Sequence, residues 1–236
     1  MKKILFLTFS IFMLYCCGSS QQVNERSDVE RVYPELDIDR FEAEIEAFEE
    51  QDIKTRYPSG MALFVGSSSI RFWSTMADDL APHNVLNRGF GGSTLPEVNH
   101  YFERIVSKYK PAQIFLYCGE NDLAMTFTVR ETFDAFVEFL TLCKKYVPDS
   151  KIIYISMKPS PSRWHLWPKY EEANTLIKNV CTLSNQMTYV DVSEIMMTQD
   201  EVPDSSIFVE DMLHMNASGY ERWTEVIKPV IDQLRE

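Results

Sequence analysis

The sequence predicts an α/β domain: a three-layer α/β/α sandwich of the flavodoxin-like kind, with a five-stranded parallel sheet at its centre. Three observations predict it. Short apolar runs recur along the chain, most of them followed by a longer segment whose apolar residues step by three and four. The runs are apolar throughout rather than alternating, as strands buried on both faces are. Serine, glycine, asparagine, aspartate and histidine gather just beyond those runs, where the ligand crevice of an open parallel sheet lies.

The elements follow in chain order. The 236 residues suit one domain plus a targeting segment. Over residues 37–54, Ile38, Phe41, Ile45 and Phe48 recur among glutamates, which predicts an amphipathic helix packed on the domain by one stripe, its acidic face solvated. Strands are predicted at 60–65, 85–87, 113–117, 151–155 and 187–190. Helices are predicted at 95–109, with Pro96 in the first turn, and at 129–146, 168–183 and 217–234. The folded domain spans residues 35–236, with residues 35–54 as its N-terminal helix.

The first residues read as a signal rather than a fold element. Lys2 and Lys3 precede an apolar run over residues 4–15, the layout of a secretory signal peptide. As a helix that run covers about 18 Å, short of the roughly 30 Å hydrocarbon core. Leu14-Tyr15-Cys16-Cys17 resembles a bacterial lipobox. The resemblance implies a signal peptide over residues 1–16, a lipidated Cys17, a flexible tether over 17–34, and an exported protein anchored to a membrane, facing periplasm or exterior. Lipidation at Cys16, or an ordinary signal peptide cut near Ser19 or Ser20, are the alternatives.

The net charge is −12, and the first sixteen residues hold two lysines and no acid. The exported part is therefore more acidic still and repels phosphate backbones, which argues against a nucleic-acid partner. Cys118, Cys143 and Cys181 show neither C-x-x-C spacing nor histidine partners, so no zinc site is expected. They read as buried thiols, with one disulfide left open.

Five segments beyond the strands carry chemistry: Gly66-Ser67-Ser68-Ser69, then Asn87-Arg88-Gly89-Phe90-Gly91-Gly92, Gly119-Glu120-Asn121-Asp122, the segment from Lys158 through Arg163 and Trp164, and Asp211-Met212-Leu213-His214. A serine hydroxyl needs a base to attack a carbonyl, and histidine is the natural base near neutral pH. A carboxylate fixes the histidine tautomer, and Asp211 lies three residues before His214. The tetrahedral oxyanion then needs aimed donors, which a serine at a strand-to-helix turn, a glycine and an asparagine amide can supply. Singly, each segment has another reading: a serine helix cap, a tight glycine turn, an Asx-turn, a surface ion pair. The glycine spacing is not G-x-G-x-x-G, so a dinucleotide site has little support. In combination the pattern points to nucleophilic catalysis.

In these residues the chain resembles the SGNH hydrolases, also called GDSL esterases and lipases, from about residue 61 to 220. The match looks closer to the branch of platelet-activating-factor acetylhydrolases than to long-chain lipases. Gly66-Ser67-Ser68 resembles the first block, which implies Ser68 as nucleophile. Gly92 best matches the oxyanion glycine of the second block. Gly119-Glu120-Asn121-Asp122 matches the third, implying Asn121 as a side-chain donor, and Asp211-Met212-Leu213-His214 matches the last, implying Asp211 and His214. Ser67 stands where the family name implies aspartate, so three consecutive serines leave the register to Trp73, an aromatic at the expected distance. The resemblance implies metal-independent hydrolysis of short acyl esters on a small molecule, glycan or lipid, with no cofactor. Arg163 and Trp164 are candidates for the substrate cleft, Trp164 equally for anchoring its loop. A surface lipoprotein that binds acylated glycans without turnover is the competing function, and metal-dependent phosphoester hydrolysis a weaker one.

Overall fold

The computed structural model describes residues 36–58 and 60–233; the expected signal peptide, lipidated Cys17 and tether lie outside the described residues. Helix α1 (Glu42–Lys54) leads into β1 (Ala62–Gly66), followed by the short α2 (Ser68–Arg71) and α3 (Met76–Asp79). Then come β2 (Val85–Gly89), α4 (Leu95–His100), α5 (Phe102–Ile105), β3 (Gln113–Tyr117), α6 (Glu120–Ala124) and α7 (Val129–Tyr146). The chain finishes with β4 (Lys151–Ile155), α8 (Trp167–Cys181), β5 (Met187–Val190) and α9 (Ala217–Gln233).

All strand pairs are parallel, in the order β2-β1-β3-β4-β5. Side chains alternate faces along a strand, and here both faces are dry. Leu63, Val65, Ile114, Leu116, Ile152 and Tyr154 pack with Phe136 and Phe139 of α7 and Tyr170 and Ile177 of α8. Ala62, Phe64, Phe115, Tyr117, Ile153 and Ile155 pack on the other side with Trp73 and with Trp223, Ile227 and Ile231 of α9. That two-sided burial is why the strands read as unbroken apolar runs, and it makes the three layers.

Two expectations need correction. The helix predicted over 95–109 is instead α4, α5 and a 3-10 turn over Ser107–Tyr109. The chain bends at Tyr101 (φ −88°, ψ 7°), and Tyr101, Phe102, Ile105 and Val106 are all buried in the core. The acidic face of α1 is not merely solvated. Arg104 donates to Glu42 at 2.7 Å and to Glu49 at 2.8 Å, and the buried Arg88 donates to Asp52 at 2.5 Å. The stripe itself seats as expected through Phe41 and Ile45, although the helix begins only at Glu42. The open disulfide question closes here, since Cys118, Cys143 and Cys181 are free and buried.

In this strand order the connections leaving β1 and β3 run to opposite sides of the sheet. The tips of β1 and β3 therefore flank the crevice where open α/β sheets place their ligands.

Candidate active site

Gly66 ends β1 with φ +131°, and a Cβ there would fall 1.8 Å from the Tyr117 carbonyl oxygen. Only glycine lets the β1 tip lie this close to β3. Ser67 then donates its N–H to that same carbonyl at 3.0 Å, and Ser68 starts α2. Of the three consecutive serines, Ser67 and Ser69 are buried at 2% exposure each, whereas Ser68 is partly open. Burial thus leaves Ser68 as the available hydroxyl, the serine that the Trp73 register also implies.

Ser68 Oγ lies 2.8 Å from His214 Nε2, and His214 Nδ1 lies 2.5 Å from Asp211 Oδ2. The second Asp211 oxygen accepts the backbone N–H groups of Leu213 and His214, both at 2.9 Å. Partial burial pushes the Asp211 carboxyl up, but the His214 backbone N–H, the imidazole and the Leu213 N–H outweigh it and bring it down to about 2. The carboxylate therefore stays ionised at any pH above that, and can hold the imidazole in one tautomer. Met212, at φ +55°, makes the turn that lets one aspartate serve both backbone and ring.

Other candidate donors come from the loops after β1, β2 and β3. Among the described residues, the backbone N–H groups of Ser68 and Gly92 have no acceptor. Gly92 takes φ +79°, a conformation glycine adopts at no steric cost. Asn121, nearly buried at the start of α6, donates through Nδ2 to the Ser93 carbonyl at 3.0 Å. Its Oδ1 accepts from Arg163 Nη1 at 3.0 Å, which orients the amide. Trp164 stacks on Trp167 at 5.8 Å and packs against the core. The Phe72 ring stands edge-on to the His214 ring at 5.0 Å, and the exposed Met212 and Val209 lie on the same loop as His214. Apolar side chains thus lie beside His214 and on its loop.

Sequence reasoning passed over several supporting residues. Glu120 and Lys158, at 4% and 1% side-chain exposure, pair at 3.1 Å behind Asn121, and Tyr117 Oη also donates to Glu120. Their signal was legible: a charge immediately beyond each of two apolar strands. Burial lowers the Lys158 pKa against the pull of Glu120. Arg40 and Glu97, which meet beside Gly92, carried no signal, since each reads as an ordinary surface charge.

Asp122 is fully buried and accepts the Leu95 N–H at 3.0 Å, tying the end of the glycine loop to α6. Burial pushes its carboxyl up to about 7, partly opposed by that N–H. The folded state thus holds a proton that the unfolded chain, near pKa 3.9, releases. Stability contributed by this group falls as pH rises from about 4 to about 7. Asp122→Asn keeps an acceptor for Leu95 without the charge. Its urea midpoint is expected to gain on the parent's between pH 5 and pH 8, whereas parallel midpoints would place the ionised form at no disadvantage.

A doubly wound sheet whose β1 tip presents serine to histidine and aspartate from the last loop is the architecture of the SGNH class of hydrolases. The chain belongs to the GDSL-like lipase/acylhydrolase family, whose profile matches residues 62–222, and it is an ester hydrolase by that membership. Comparison with curated protein sequences finds no match. Among solved structures it is similar to a Bacteroides fragilis protein provisionally described as an acylhydrolase, with TM-score 0.71 and 21% identity over 81% of this chain and 97% of that one. A GDSL-like lipase from Bacteroides thetaiotaomicron gives TM-score 0.68 and 20% identity over 81% and 98%. An acetyl-xylooligosaccharide esterase from Geobacillus gives 0.61 and 15% over 75% and 96%. At these identities the likeness shows the fold.

Proposed function

We propose that the protein is a serine esterase that removes short acyl groups through Ser68, His214 and Asp211. His214 Nε2 takes the proton of Ser68 Oγ as the oxygen attacks the ester carbonyl. The oxyanion is received by the N–H groups of Ser68 and Gly92 and by Nδ2 of Asn121, each such donor being worth about 10²–10³ in turnover. The imidazolium, stabilised by Asp211, returns the proton to the departing alcohol. Water, deprotonated by the same imidazole, then cleaves the acyl-serine.

One observation carries this reading. A hydroxyl and an imidazole 146 positions apart in sequence meet at 2.8 Å, with the carboxylate in line behind. A binding protein for acylated glycans has no use for a general base so placed. The apolar side chains of Phe72, Val209 and Met212 suit a small acyl group, and the acetyl-xylooligosaccharide esterase among the fold neighbours favours an acetylated sugar. The lipobox-like Cys17 adds that the enzyme is exported and tethered to a membrane by lipid, working on substrates outside the cytoplasm.

The direct test is covalent labelling. A fluorophosphonate reacts with an activated serine and leaves a phosphonyl ester that peptide mass spectrometry can locate. Label is expected on Ser68 and on neither Ser67 nor Ser69, with nitrophenyl acetate turned over faster than longer-chain esters. Label on another serine, or none in a protein that hydrolyses nothing, would defeat the proposal.

A further inference from the structure

We propose that Arg40, which precedes α1 and lies outside the family-matched region, is a positioning residue that holds the Gly92 segment of the oxyanion hole in its working conformation. The inference rests on the esterase reading above and extends it to a part of the chain that the family profile does not include.

The geometry is a three-way clamp. Arg40 Nε donates to Glu97 Oε1 at 2.5 Å and Nη2 donates to Glu97 Oε2 at 3.0 Å, the fork-on-fork pairing specific to guanidinium. The same Nη2 donates to the Gly92 carbonyl at 3.1 Å. Glu97 is fully buried and also accepts from the backbone N–H and hydroxyl of Thr94, both at 2.8 Å. One carboxylate therefore fixes the α4 N-terminus on one side and the guanidinium on the other, and the guanidinium fixes Gly92.

Gly92 needs such a hold. It follows another glycine, it sits at positive φ, and a Cβ built on it would meet no atom within 4 Å, so packing does not confine it. Among the described residues its carbonyl takes no hydrogen bond other than Arg40's. Preorganised donors stabilise an oxyanion because they need no reorientation during the reaction, and a loose glycine would forfeit that. Arg40 is itself anchored. The adjacent Phe41 is buried against Phe90 with ring centroids 5.0 Å apart, and the guanidinium lies over the Phe41 ring at 4.5 Å. Helix α1 thus delivers a cation to the glycine loop instead of only covering the sheet.

The test uses Arg40→Ala and Arg40→Lys in the full chain, with Arg104→Ala as a control. Arg104 also ties α1 to the body, through Glu42 and Glu49, but does not touch the Gly92 segment. Measured quantities are kcat and KM on nitrophenyl acetate, inhibition by a boronic acid that forms a tetrahedral serine adduct, and Tm. Arg40→Ala is expected to lose about 10- to 100-fold in kcat, the order for a misplaced catalytic group. KM should move little, and boronate inhibition should weaken by a similar factor. Arg40→Lys should retain the loss, because lysine lacks the planar Nε–Nη2 fork that grips both Glu97 oxygens while Nη2 also holds the Gly92 carbonyl. Should Arg40→Ala fail to fold, the lysine variant alone decides. Arg104→Ala should lower Tm and leave kcat unchanged. Parental kcat in Arg40→Lys, or an equal kcat loss in Arg104→Ala, would reduce Arg40 to a staple and overturn the proposal. Failure of the esterase reading looks different: Ser68→Ala would then hydrolyse as fast as the parent.

Discussion

Ser68→Ala and His214→Ala are each expected to cut kcat by about 10⁶-fold, and the double variant to be no slower than either single one. The reason is the hydrogen-bonded chain from Asp211 through His214 to Ser68. A hydroxyl without its base is a poor nucleophile, and a base without the hydroxyl has nothing to activate, so the two groups work as one. The proposed oxyanion donors at Ser68, Gly92 and Asn121 remain in these variants, and a residual rate about 10³–10⁴ above water is the expected floor. Asp211→Asn should cost less, about 10⁴-fold, because the imidazole survives in the wrong tautomer. Initial rates on nitrophenyl acetate check all four variants. Additive losses in the double variant, or retained activity in Ser68→Ala, would mean that the three side chains do not act together.

Lys158→Met is expected to destabilise the domain by about 3–5 kcal/mol, the usual result of stripping one partner from a buried ion pair. For a domain of this size that lowers Tm by on the order of 10 °C. Glu120 would keep the Tyr117 hydroxyl and Arg163, the latter at 3.8 Å, but would lose the ammonium that balances its buried charge. Glu120→Gln/Lys158→Met removes both charges together and should recover most of the loss. Thermal melts by circular dichroism separate the cases. A double variant as unstable as Lys158→Met would assign the cost to lost packing around the lysine stem instead. Because Glu120 precedes Asn121 and lies beside Arg163, the single variant should also disorder the Asn121 amide and slow turnover more than the double one.

The architecture was legible in the chain because it follows from local pattern. The five apolar runs became five parallel strands, with 113–117, 151–155 and 187–190 at their expected limits. A strand covered on both faces must be apolar throughout, and sequence displays that directly. Helices α7, α8 and α9 carry one-sided stripes and were equally plain. The segment 95–109 was misread because neighbouring apolar residues at 101–102 and 105–106 fit one broad helical stripe, whereas the fold buries them through a bend.

The sequence by itself determined which chemical groups the protein owns and at which strand ends they stand: Ser68, Asn121, Asp211 and His214 were all nameable from short motifs. Tertiary structure alone decided which groups meet and which are excluded. Burial separates Ser67 and Ser69 from Ser68, which alone of the three reaches His214, and the half-buried Arg163 meets Asn121 and Glu120. Arg40 acquires its place beside Gly92 only when α1 docks. The physical reason is range: helix and strand periodicities are set by neighbours within a few positions, whereas a hydrogen bond between residues 52 or 146 positions apart exists only once the whole sheet has brought their backbones together.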